Sequence, residues 1–163
     1  MFATAAAIFS VLLIITGAAK VARPHDVERA LTSLGLPRIP FAGTVIGLGE
    51  IGIGVTAFVF PAALVLQGVA YLVFALWILA ALRADVPIAS CGCLGKDDTP
   101  PSWGHFALNV MGSLLSLAAG LSAPVQWSFG LEGIAMVSVV AVGVFLGFVV
   151  LTDAARLAGV RSK

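Results

Sequence analysis

Charge is scarce in this chain. Asp, Glu, Lys and Arg make up 10% of its 163 residues, against roughly 25% in an ordinary soluble domain. With 60% of its residues hydrophobic, a soluble fold would leave large apolar patches in water. A net charge of +1 supplies no cationic surface for nucleic acid. Gln/Asn-rich and Ser/Gly-rich tracts, a long linker and an internal repeat are all missing, so the length reads as one domain over residues 1–163. Met1–Thr16 holds no Lys or Arg, which argues against a cleaved secretory signal and for a retained membrane span.

What the chain does have is apolar length, with a mean hydropathy of +1.10. A transmembrane helix needs about 20 mainly apolar residues. Five stretches qualify, at about Ala3–Ala22, Ile39–Phe58, Ala62–Leu82, Gly104–Leu121 and Gly133–Ala154. The expected fold is therefore an all-α, polytopic transmembrane helical bundle of about five spans. The tight link at Val59–Pro61 makes spans two and three an antiparallel hairpin. Between spans one and two, Val27, Ala30, Leu31 and Leu34 share a helical face, and Asp26, Glu28 and Arg29 lie off it. His25–Leu36 therefore reads as a short amphipathic helix in the interface, or as a solvated linker helix, ended by Pro37 and Pro40. Gly47, Gly49, Gly52 and Gly54 pave one stretch of span two and predict close helix packing.

Five spans divide the loops and ends into two sets. One set holds Lys20, Arg23, Arg29, Arg38, Arg83, Lys96, Arg156, Arg161 and Lys163, which are all nine basic residues. Cytoplasmic loops are enriched in Lys and Arg. The expected orientation in the cell (inner) membrane is N-terminus outside and C-terminus inside.

Both cysteines lie in the loop after span three, in Ser90-Cys91-Gly92-Cys93-Leu94-Gly95. Cysteines one residue apart can close a small, strained disulfide ring across the glycine, and strained exposed disulfides tend to be labile or catalytic. Lys96 and the N-terminus of span four lie close enough in sequence to favour a thiolate. Three readings are open: redox exchange, which is preferred; a metal site of Cys91, Cys93 and His105, short of the four ligands zinc usually takes; and two inert buried thiols.

With Gly17-Ala18-Ala19-Lys20 closing span one, Glu50 inside span two, the Cys-Gly-Cys-x-Gly loop, and Trp103 and Asn109 after it, nearly the whole chain resembles the MauE family, within the wider DoxX-like group. Leu94 stands where relatives usually carry Phe, a change of packing, not of chemistry. The resemblance implies thiol–disulfide chemistry at a membrane. MauE-type proteins support maturation of the disulfide-rich small subunit of methylamine dehydrogenase beside a thioredoxin-like partner, and DoxX-like relatives are linked to thiol redox balance and oxidation of sulfur compounds with quinone. Disulfide formation is usually extracytoplasmic, yet the charge pattern puts Cys91 and Cys93 inside. Either the charge rule fails here, the loop dips into the bundle, or the protein carries reducing equivalents from a cytoplasmic thiol donor.

Glu50 lies about ten residues into span two, roughly 15 Å deep. An ionised carboxylate there costs about 2.5–3.5 kcal/mol or more, so it should face the bundle interior. It reads either as a proton relay or substrate or quinone contact, or as a carboxyl hydrogen-bonded to a neighbouring helix. His105 and Asn109 share a face of span four near the cysteine end. His105 can take a proton from an attacking thiol or cap the helix at the interface; Asn109 bridges helices or supports the loop. Trp103 reads as an interfacial anchor, Gln67 as a bridge between helices, and Lys20 as a side chain snorkelling to the interface.

The preferred function is a membrane thiol–disulfide oxidoreductase component that uses Cys91 and Cys93 and exchanges electrons with a thioredoxin-like partner, a small thiol or a quinone. Two rivals are a non-enzymatic membrane scaffold for a soluble redox or sulfur-transfer protein, and a small-solute carrier with Glu50 in its path.

Overall fold

In lipid the backbone finds no outside partners, so apolar stretches become helices that satisfy every N–H and C=O internally. The computed structural model describes residues 2–33, 35–83, 101–122, 138–147 and 149. In chain order they form α1 (Phe2–Ala22), α2 (Pro24–Ser33), α3 (Ala42–Thr56), α4 (Pro61–Arg83) and α5 (Trp103–Leu121), and α6 (Ser138–Gly147). No strand occurs among the described residues. The protein is an all-α transmembrane bundle. α1, α4 and α5 are long and apolar enough to cross a bilayer, and the shorter α3 and α6 bring the spans to about five.

α3 is the helix that departs most from the expected bounds, covering 42–56 in place of 39–58. Pro37 and Pro40 hold the chain out of the helix before it. Phe41, at φ 64° and ψ 7°, takes a left-handed turn into it. At the far end, the Val59 and Phe60 N–H groups bond back to the Thr56 carbonyl. Pro61 then opens α4 at the one position where a helix does not need an N–H. Of the fifth expected span, the residues on either side of 138–147 lie outside the described set, apart from Val149.

The helices pair as α1 with α3 and α4 with α5, and α1 also leans on α5. Consecutive α3 and α4 pack less on each other than on these partners, so the α3–α4 hairpin is a feature of the connection more than of the packing. Phe9, Leu12, Leu13 and Tyr71 form the central apolar cluster. Phe9 and Tyr71 meet edge to face at 5.4 Å, and the Tyr71 hydroxyl donates to the Phe9 carbonyl at 2.6 Å. Val45, Leu48, Leu66, Val73 and Leu76 point outward, as lipid-facing side chains should.

Towards the N-terminal end of α1 a polar bridge is buried. The Gln67 amide donates to the Ala6 carbonyl at 3.1 Å and to the Ser116 hydroxyl at 2.9 Å. The Ser10 hydroxyl donates to the Gln67 carbonyl oxygen at 2.7 Å. Three helices meet at one side chain, the bridging role expected of Gln67. Interhelical hydrogen bonds in membranes are worth about 0.6–1.7 kcal/mol. Gln67→Leu should therefore lower stability by about 1–2 kcal/mol in denaturant titration of the detergent-solubilised protein. An unchanged midpoint would mean the bridge contributes nothing net.

α2 corrects one expectation. Val27 and Ala30 are buried as its apolar pattern requires, but Asp26 and Glu28 are buried too. Each is drawn in by its partners. Arg29 pairs with Asp26. Glu28 accepts from Arg38 at 3.4 Å and from the Phe41 N–H at 3.2 Å, and faces His25 at 3.4 Å. Glu28 thus ties the 35–41 segment down onto α2. Burial pushes its carboxyl up, but the bonds from His25, Phe41 and Arg38 outweigh this and hold it below the ordinary value of 4.5. A lowered folded-state pKa gives stability that is present above about 4.5 and lost as pH falls through the folded value. Acidification below that point should loosen residues 24–41 first, read by amide exchange. Glu28→Gln should be looser at neutral pH and show no such acid step.

Candidate functional site

The register of α1 on α3 builds the site. The two helices run antiparallel and touch backbone to backbone. A Cβ added at Gly17 would lie 2.6 Å from the Gly47 carbonyl, and one added at Gly47 would lie 2.6 Å from the Gly17 carbonyl. Because the helices are antiparallel, Gly17 lies opposite Glu50, whose Cβ an added Cβ would meet at 2.9 Å, and Gly47 lies opposite Lys20, at 3.1 Å. Close approach at the glycines therefore sets these side chains against each other. The Lys20 ammonium sits 2.7 Å from Glu50 Oε1 and donates to Oε2 at 2.9 Å. Thr16 Oγ1 adds a third contact to Oε2 at 3.3 Å. Both charged residues are buried, at 6% and 3% exposure.

Lys20 was expected to snorkel outward, and it does the opposite. A carboxylate inside the bundle draws the ammonium in, and the Phe74 ring stands 5.2 Å from it as a cation–π face. Two charges that are each costly alone in lipid offset much of that cost as a pair. Glu50 faces the bundle interior, as its cost predicted.

Lys20 also walls a small cavity of about 30 Å³ with Thr16, Tyr71, Phe74, His105 and Asn109. That is room for about two waters. Ser102 caps α5 by accepting the His105 N–H at 3.3 Å. The cap starts the helix so that His105 and Asn109 fall on its inward face. His105 is fully buried, and the Asn109 amide donates to the His105 carbonyl at 2.7 Å. One cavity thus gathers three residues singled out in the sequence, Lys20, His105 and Asn109, and Glu50 joins it through Lys20 and Thr16.

This is the arrangement in which the Gly-x-x-Lys end of α1 and the lone glutamate of α3 act as one unit. The family model described as methylamine utilisation protein MauE matches residues 1–123, about three quarters of the chain. The chain belongs to the MauE family. No curated protein and no solved structure matches it. The matched span runs from α1 through α5 and includes Lys20, Glu50, Cys91, Cys93, His105 and Asn109.

In this MauE-family protein Trp103 stands apart from the cavity. It is 64% exposed and packs edge-on against Phe106 at 5.8 Å, which suits an interfacial anchor. Cys91, Cys93 and Lys96 lie outside the described residues. Among the described residues no group of three or more His, Cys, Asp and Glu can hold a metal. The sequence reading missed Thr16, Tyr71 and Phe74. Thr16 carried a signal: it lies four residues before Lys20, on the same helical face. Tyr71 is the one tyrosine in the chain, which marks it only after its neighbours are known.

Proposed function

We propose that this MauE-family chain is a membrane thiol–disulfide redox protein in which Cys91 and Cys93 cycle between dithiol and disulfide. The observation that supports this best is the position of the cavity. The chain that carries both cysteines leaves α4 at Arg83 and enters α5 at Trp103, two residues before His105 and six before Asn109. The α5 terminus that this segment enters therefore lies beside the cavity that His105 and Asn109 line.

In the exchange, a thiolate of the pair attacks a sulfur of a partner's disulfide, and one partner thiolate leaves. The second cysteine attacks the mixed disulfide and releases the other. The partner gains two electrons and the Cys91–Cys93 pair becomes a disulfide. The reverse sequence restores the dithiol at the expense of a reductant. The disulfide of a thioredoxin-like protein or of a small thiol fits the first exchange; in the reverse direction their thiols reduce the Cys91–Cys93 disulfide, and a quinone is then an acceptor for the two electrons of the restored dithiol. His105 takes up the proton a thiol gives up. Lys20 supplies positive charge that favours the thiolate, and Glu50 fixes Lys20 in place. The Lys and Arg residues of the loops and tail, all on one side of a five-span chain, support a cytoplasmic cysteine loop and an N-terminus outside.

Alkylation of native membranes with and without reductant tests this. Under oxidising conditions Cys91 and Cys93 should resist labelling, reductant should expose both, and Cys91→Ser should fail to complement a deletion. Full labelling of both thiols under oxidising conditions, with Cys91→Ser retaining complementation, rejects the redox cycle.

A further inference from the structure

Away from the cavity, α2 and the segment after it form a second cluster that the redox reading leaves unused. His25, Glu28, Arg29, Thr32 and Arg38 line an open notch of about 510 Å³. Its charges are sorted by depth. The Asp26 and Glu28 side chains are turned in, at 5% and 8% exposure. Those of Arg29, Arg38 and His25 are turned out, at 67%, 72% and 78%. Each guanidinium carries five N–H donors in a planar fork. Both side chains keep most of their surface open on the notch side of their acids. The acids thus position the bases, and the face they present is cationic.

Beside the notch stands an apolar prong. Leu36, Ile39 and Phe41 are exposed, Phe41 at 72%. Phe41 also holds a left-handed backbone that a bulky residue rarely adopts. Its N–H is pinned by Glu28, the same carboxylate that receives Arg38. Strain of this kind persists only where surrounding contacts over-determine it. Here it turns an aromatic ring outward next to two arginines. The segment lies where α1 ends and α3 begins, the level at which a bundle meets the headgroups.

We infer that this notch binds the phosphate of an anionic phospholipid, held by Arg29 and Arg38 with His25 alongside, while Leu36, Ile39 and Phe41 enter the acyl boundary beneath it. Planar guanidinium forks suit a phosphate, and an apolar prong under a cationic notch suits an amphiphile better than a free anion. The site lies on the opposite side of α2 from Val27 and Ala30, so it is separate from the redox cavity.

Native mass spectrometry of protein released from phosphatidylglycerol or phosphatidylcholine nanodiscs tests the assignment. The wild type should retain phosphatidylglycerol preferentially, and added salt should erode the preference. Arg29→Gln/Arg38→Gln should lower it by on the order of tenfold or more, as loss of two basic groups at an anionic surface predicts. Phe41→Ser, which keeps every charge, should weaken retention of both lipids. Arg83→Gln, at the same end of the bundle but outside the notch, should change nothing. Equal retention of the two lipids, an equal loss in Arg83→Gln, or displacement of the lipid by inorganic phosphate alone would overturn the proposal. Helicity and a single elution peak keep the arginine variant interpretable, and Arg29→Gln alone serves if the double variant fails these checks.

Discussion

Lys20→Met and Glu50→Leu should each destabilise the protein by about 3–5 kcal/mol, whereas the double variant should come close to wild type or exceed it. Removing one partner of a buried pair leaves a charge with no counter-ion in a low-dielectric bundle. Removing both leaves two apolar side chains where lipid-like surroundings favour them. Lys20 and Glu50 are both nearly inaccessible, so solvent cannot rescue the survivor of either single change. The measurement is a double-mutant cycle by thermal or denaturant unfolding in one detergent. If the double variant loses the sum of the two single effects, the pair is not coupled and the register of α1 on α3 has been misread. The same double variant separates stability from function. Under the proposed chemistry it stays folded yet exchanges thiols slowly, because the ammonium that favours the thiolate is gone.

Gly47→Ala should cost about 1–3 kcal/mol or more, whereas Gly49→Ala, two residues away, should be neutral or stabilising by up to about 1 kcal/mol. The added carbon at Gly47 would meet the Gly17 carbonyl at 2.6 Å, Val21 at 2.9 Å and Lys20 at 3.1 Å. The closest of these is backbone, so relief requires α1 and α3 to move apart. Nothing lies within 4 Å at Gly49 or Gly52, and there alanine only improves helix propensity. Gly47→Ala should also draw Lys20 away from Glu50, coupling a packing defect to the site. A Gly47→Ala protein as stable as wild type, with Gly49→Ala impaired, would reverse the assignment of α3's two faces.

Close packing was expected of all four glycines around Glu50. Gly47 and Gly54 do pack against α1, and Gly49 and Gly52 face outward. Composition marks a helix as able to pack closely but does not say which side does so. The spans themselves were legible because bilayer thickness and backbone hydrogen bonding leave few alternatives. Glu50 was legible for a related reason: its cost in lipid forces it inward. Its partner was not. Pairing Lys20 with Glu50 depends on the register of two helices separated by α2, and a lysine at a helix end is equally compatible with snorkelling. The burial of Asp26 and Glu28 was hidden for the same reason, since Arg38 comes from beyond Pro37 and the Phe41 N–H from beyond Pro40 as well. His105 and Asn109 were placed together by their spacing, but Tyr71 and Phe74 joined them only through α4's packing on α5.

The 15 residues of α3 rise about 22 Å, against a hydrocarbon thickness of about 30 Å. Tilting cannot make up that shortfall, because it only shortens the projection further. Along this flank the two headgroup layers must be drawn toward each other, or the short side must be covered by something other than lipid. Beside the helix that carries Glu50 the water-to-water path through the protein's surroundings is therefore shorter than beside α1, α4 or α5.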